Sequence, residues 1–167
     1  MALNFLWNLK LSRAALAEIA LPLGADVPFF IFGQNAFGQG VGENLCAIDV
    51  PNRFYLIAIP RVSCPTPLIF KDPLLKRDTP KINVDSWQNQ KTNDLQNVAI
   101  CLFPELKKVL DDFQKAAPHA RMTGSGACFF AEFENESAAK SAQSALKNYQ
   151  TQIVRGIAAH PLQSLVF

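Results

Sequence analysis

Histidine is almost missing from this 167-residue chain: His119 and His160 are the only two, each beside a proline. Neither has a cysteine or carboxylate at nucleophile–base or metal-ligand spacing, which argues against histidine-based catalysis and against zinc. Cys46, Cys64, Cys101 and Cys128 stand far apart with no C-x-x-C pair. They read as buried thiols in a reducing compartment rather than a disulfide framework. Charge is also sparse, with 18% charged residues and a balance of +2, too little for a nucleic-acid footprint. No apolar run reaches the roughly 18 residues of a membrane span; Glu18 and Pro22 interrupt the best stretch. The start has only Lys10 as a positive charge and no small-residue cleavage site, so no secretory signal is expected. No G-K-[ST] occurs, and Gly38 to Glu43 lacks G-x-G-x-x-G spacing, so Walker and Rossmann sites are unsupported. The expectation is a cytoplasmic chain with no membrane and no nucleic-acid partner.

Apolar residues make up 49% of the chain, a globular composition in one domain or two small ones. Leu3, Leu6 and Trp7 share a helical face with no capping residue before them. Ser12 can cap a second helix carrying Leu16, Ile19 and Ala20, ended by Pro22 and Gly24. Phe29 to Phe32 is a short apolar run between Pro28 and Gly33, consistent with a buried strand. Gly33, Gly38, Gly40 and Gly42 mark backbone that bends sharply or approaches something closely. A boundary near Pro51-Asn52 divides a block at 1–51 from one at 52–167. In the second block Phe54 to Ile59 reads as a strand, and Ser63 to Pro80 as an extended, proline-held connection with at most a short helical turn. A polar loop covers 83–93, and a helix begins at Asp94. Pro104 opens another with the stripe Leu106, Val109, Leu110, Phe113 and Ala117. Ala127 to Phe133 is a strand, Asn135 caps a helix to about Tyr149, and Gln152 to Ala158 is the last strand. Helices on one face of a small antiparallel sheet make an α+β, ferredoxin-like layer.

Three segments could carry chemistry. In Leu23-Gly24-Ala25-Asp26-Val27-Pro28 a carboxylate stands at a stiff, tight corner, as phosphoryl transfer uses to accept or orient a hydroxyl proton; alternatively Asp26 only caps the turn. Arg121 to Cys128 contains Thr123, Gly124, Ser125 and Gly126, an anion-binding nest or a plain flexible turn. Pro65-Thr66-Pro67-Leu68-Ile69-Phe70 holds a hydroxyl and a ring in fixed relation, as a pocket wall would. On the residues alone, a rigid linker packing Phe70 into the core is the better reading. Lys71, Lys76, Arg77 and Lys81 read as a solvated basic patch.

Taken in order, these segments, with Gln-Gly-Val-Gly-Glu at 39–43 and Pro-Thr-Pro-Leu-Ile-Phe-Lys-Asp-Pro at 65–73, resemble the GHMP kinase superfamily. The 65–73 segment points to its branch that phosphorylates the 2-hydroxyl of a cytidine-diphospho-methylerythritol, with ATP and Mg²⁺, on the non-mevalonate route to isoprenoid precursors. The resemblance implies the remainder of an ATP-binding domain at 1–51 and a ferredoxin-like domain at 52–167. It makes Asp26 the catalytic carboxylate, places Thr66, Pro67 and Phe70 on the substrate, and sets Thr123, Gly124, Ser125 and Gly126 beside the ATP phosphates. It assigns no protein metal ligand. The family's early lysine and glycine-rich ATP loop have no counterpart here. Weak or no activity alone is therefore expected, with self-association through Leu3, Leu6, Trp7 and Phe29 to Phe32. Another superfamily kinase, or a non-catalytic ferredoxin-like binding module, stays open.

Overall fold

The computed structural model describes residues 1–89 and 91–164. Gln90, in the expected 83–93 loop, and residues 165–167 lie outside them. The chain divides at Pro51/Asn52 into two units, and the stretch from Ile157 joins the first. The expected second block at 52–167 instead kept that stretch with the later half.

In the first unit, α1 (Ala2–Leu6) is followed by α2 (Arg13–Ala20), and Ser12 accepts the Ala15 N–H at 3.2 Å as its cap. The carboxamide of buried Asn4 bonds the backbone of Leu11 twice, at 3.0 Å each, and this ties α1 to the start of α2. Pro22 sits in a 3₁₀ turn, Leu21–Leu23, after which Val27 N–H bonds the Gly24 carbonyl at 3.1 Å. Then comes α3 (Val27–Phe32), which corrects the expected buried strand at Phe29 to Phe32. Pro28 occupies the first helical turn, where its missing N–H costs nothing. Gly33, at φ +75°, closes the helix in the left-handed region. Phe29 and Phe30 are exposed, so the run is not buried either. A hairpin of β1 (Ala36–Gln39) and β2 (Asn44–Ala47), absent from the sequence reading as strands, pairs Ala36 with Ala47 and Gln39 with Asn44. Arg13 donates to the carbonyls of Phe32 (3.2 Å) and Gln163 (2.6 Å), holding the returning tail to this unit.

The second unit holds β3 (Phe54–Ile59), α4 (Thr66–Lys71), α5 (Asp94–Leu102), α6 (Glu105–Ala116), β4 (Arg121–Met122), β5 (Phe129–Phe133), α7 (Glu136–Ser144) and β6 (Gln150–Arg155). The antiparallel sheet runs β4-β5-β3-β6, the ferredoxin-like order. Register sets Leu56 opposite Ala131 and Ala58 opposite Phe129, all four fully buried. Against that face pack Leu106, Val109, Leu110 and Phe113 from α6, with Val98 from α5 and Leu146 beyond α7. On the other face Arg121 lies 4.4 Å over the Phe130 ring and pairs with Glu132 at 2.5 Å. The sequence reading lacks β4, too short to show a period. It also extends α7 to Tyr149, where the structure ends it at Ser144. Pro104 caps α6 rather than opening it. Cys46 and Cys101 are exposed, against the expectation of buried thiols.

Past α7, the Tyr149 hydroxyl donates to Asp112 Oδ2 at 2.6 Å, while Lys115 donates to Oδ1 at 2.8 Å. These bonds, Lys115 first, hold the Asp112 carboxyl below its ordinary range. The bond to Asp112, reinforced by burial, pushes the Tyr149 phenol up from 10.0 to about 12. The folded chain thus holds that proton more tightly than the unfolded one. The stabilisation is complete below pH 10.0 and is lost as pH rises through about 12. Tyr149→Phe is expected to reduce the alkaline loss of stability in that window, read from denaturant midpoints at stepped pH.

Candidate active site

In the second unit, two of the expected segments meet. The Thr66 hydroxyl, at the first residue of α4, lies 2.8 Å from the Ser125 hydroxyl in the turn between β4 and β5. Pro67 stands in the first turn of α4, so the helix starts stiffly behind an extended Pro65. Only Ile69 of α4 is buried; Phe70 is 50% exposed. The core anchor is therefore Ile69, which overturns the linker reading with Phe70 in the core and leaves the Phe70 ring facing out. Arg77 donates to the Phe70 carbonyl at 2.6 Å, and the Leu74 N–H bonds Asp72 Oδ1 at 2.8 Å, closing the end of α4. Arg77 is thus a structural tie and not merely part of a solvated patch.

The Thr123 to Gly126 turn closes on itself, with Gly126 N–H to the Thr123 carbonyl at 3.1 Å and Thr123 N–H to the Cys128 carbonyl at 2.9 Å. Two side chains of the α5 N-terminus grip it. Asn93 Nδ2 donates to the carbonyls of Met122 (3.0 Å) and Gly124 (2.8 Å), and Gln96 Oε1 accepts the Met122 N–H at 2.8 Å. Sequence reasoning missed both; an asparagine directly before a helical period is a cap signal, but nothing local shows where its amide group points. Gly124, at φ +53°, has no heavy atom within 4 Å of where a Cβ would stand, so the backbone there is open to an incoming group. Gly126, at φ +97°, is closely packed: a Cβ would meet Met122 Sδ at 3.0 Å and Cys64 Sγ at 3.3 Å. Burial, with the charge of Glu105, pushes the Cys64 thiol up, which leaves a neutral wall and not a nucleophile.

Asp26 lies in the first unit, exposed, at the head of α3. Its side chain makes no capping bond, so the plain capping role does not hold. Beside its turn stands the glycine-rich tip of the β1–β2 hairpin, where a Cβ on Gly42 would lie 3.5 Å from the Ala25 carbonyl. Gly40 and Gly42 have φ of +73° and +115°, and Glu43 accepts the Val41 N–H at 2.7 Å. The crowded glycines thus both bend sharply and approach neighbouring backbone. His119 is exposed and lies 2.7 Å from the Glu132 carbonyl through Nε2, a structural contact. Among the described residues no three His, Cys, Asp or Glu side chains converge as metal ligands, and no helix is long and apolar enough to cross a membrane.

Comparison with known proteins places this architecture. The family described as GHMP kinases C terminal matches residues 76–151. That match lies within the second unit. The chain is also 45% identical over 169 residues to the 4-diphosphocytidyl-2-C-methyl-D-erythritol kinase of Ralstonia pickettii, covering 97% of this chain and 58% of that protein. The protein of that name from Pasteurella multocida is 41% identical over 99% of this chain and 56% of its own length. A crystal structure of 4-(cytidine 5'-diphospho)-2C-methyl-D-erythritol kinase superposes with a TM-score of 0.75 at 30% identity, over 92% of this chain and 60% of that one. The chain therefore spans somewhat under three fifths of the length of those two curated relatives.

The two glycines should differ on substitution. Gly126→Ala combines a disfavoured φ with contact to two sulfur-bearing side chains and is expected to cost roughly 1–3 kcal/mol. Gly124→Ala carries the φ penalty alone, about 1 kcal/mol. Denaturant melts of the two variants read the order.

Proposed function

We propose that this chain carries part of an ATP-dependent kinase that phosphorylates the 2-hydroxyl of 4-diphosphocytidyl-2-C-methyl-D-erythritol, in the cytoplasm. The observation that carries this reading is the Thr66–Ser125 hydroxyl contact, which joins the proline-held segment and the Thr-Gly-Ser-Gly turn into one site. The half-exposed Phe70 ring suits stacking on a cytosine, with Thr66 and Pro67 fixing the helix that presents it. The open backbone at Gly124 suits a phosphate-bearing group nearby, so Thr123, Gly124, Ser125 and Gly126 form the phosphate-proximal part.

ATP, when bound, supplies the γ-phosphoryl group. Asp26, its carboxylate uncommitted to a cap, would accept or orient the proton of the substrate hydroxyl as that oxygen bonds to the γ-phosphorus and the bond to the departing ADP breaks. The reaction belongs to a class in which positioning and charge stabilisation dominate over covalent work by the protein. Mg²⁺ accompanies ATP in such kinases; among the described residues no three His, Cys, Asp or Glu side chains converge on a metal position, and no step here runs through the ion. Exposed Leu3, Leu6, Trp7 and Phe30 support self-association of the chain.

The test is ATP-dependent phosphorylation of the cytidine-bearing alcohol, measured beside other small alcohols. Asp26→Asn is expected to lower kcat by roughly 10²–10⁴-fold, the usual worth of a positioned acid or base. Phe70→Ala is expected to raise KM for the cytidine substrate roughly tenfold, the scale of one lost base–aromatic stack. Equal turnover of alcohols without cytidine would favour another GHMP kinase. No turnover even when the segment that the relatives have in addition is supplied, or turnover indifferent to Asp26→Asn, would overturn the reading in favour of a binding module.

A further inference from the structure

The Thr-Gly-Ser-Gly turn has little of its own to hold it. Two of its residues are glycines at positive φ, and apart from the Thr123 N–H bond to the Cys128 carbonyl at its base one bond, Gly126 N–H to Thr123 carbonyl, closes it. Its place is set from outside by α5. Asn93 uses all of its carboxamide for this: Oδ1 accepts the Leu95 N–H at 3.0 Å as the helix cap, and Nδ2 donates to the carbonyls of Met122 and Gly124. One turn on, Gln96 takes the Met122 N–H. The Met122 N–H and the carbonyls of Met122 and Gly124 are thus bonded to one helix terminus, and Ser125, next after Gly124, is delivered to Thr66.

We infer that Asn93 is a positioning residue: it fixes the Thr-Gly-Ser-Gly turn, and through it the Ser125 hydroxyl, for phosphoryl transfer. The catalytic half of this role rests on the kinase reading above, while the clamp itself does not. Both ends of the Asn93 carboxamide are bonded to backbone. It acts by removing the freedom of a glycine-containing loop beside the reacting phosphate, and displacement of about 1 Å in such a loop costs up to about 10²-fold in rate.

The test separates clamp from cap. Asn93→Ser and Asn93→Asp both keep an oxygen for the Leu95 N–H, but neither can donate to the two carbonyls. Asn135→Ser is the control, since Asn135 caps α7 through the Ala138 N–H at 2.9 Å, away from the turn. Two readouts are taken on the full chain. Amide hydrogen exchange at Gly124 to Gly126 is expected to quicken at least tenfold in both Asn93 variants and to stay unchanged in Asn135→Ser. Turnover is expected to show kcat lowered roughly tenfold to a hundredfold with KM for the cytidine substrate nearly unchanged, again only in the Asn93 variants. Unchanged exchange in the turn overturns the clamp. Faster exchange with kcat intact overturns the positioning role and leaves Asn93 a structural tie. Faster exchange in the Asn93 variants, with a wild-type chain that phosphorylates nothing even when the segment the relatives have in addition is supplied, overturns the kinase reading instead, and with it the catalytic half of this inference, while the clamp stands.

Discussion

Strand β3 is the constraint on which the second unit depends. It is paired along both edges, to β5 and to β6, so its alternation dictates what every neighbour can present to the helices. Leu56 and Ala58 point into the helical layer, and the register then commits Ala131, Phe129 and Ile153 to the same side. A slip of one residue would turn all of these outward and bring Tyr55 and Ile57 in. Pairing a large side chain with a small one, Phe129 with Ala58 and Leu56 with Ala131, leaves room for the α6 stripe to seat against the sheet.

The site inherits its order from this sheet. β5 fixes β4, and β4 leads directly into the turn that carries Ser125. The turn itself is made of residues chosen for freedom and hydroxyls rather than for rigidity, so the rigidity comes from α5 and α4. A turn with its backbone open and in the left-handed region needs glycine, and glycine brings no side chain to hold the loop still. The carboxamide of Asn93 resolves that conflict from a neighbouring helix.

Much of the second unit was legible in the sequence because its periods are strong. The α6 stripe, the Asn135 cap and the Phe54–Ile59 strand all stand where the pattern put them. The first unit was harder to read. Phe29 to Phe32 is too short for periodicity to tell helix from strand, and Pro28 serves both readings until the left-handed Gly33 is seen. The β1–β2 hairpin hides because Ala36, Gly38 and Ala47 have no strand preference; its register comes from the glycine tip. At the site, Thr66, Phe70 and the Thr-Gly-Ser-Gly turn could be picked out as separate motifs. Their meeting could not, because it depends on hydrogen bonds across 59 residues of chain. Asn93 and Gln96 were invisible for the same reason: their work is tertiary.

The short helix α1 is fastened in an unusual manner. Its anchor is one buried carboxamide, Asn4, reading the backbone of Leu11, while Leu3, Leu6 and Trp7 remain in solvent. Its hold on the unit through Asn4 is directional and polar, and the Leu3, Leu6 and Trp7 side chains are left on the surface. Adhesion and folding are uncoupled in this corner of the molecule: the stickiness of the surface can be retuned by substitution there without drawing on the contacts that keep the chain folded.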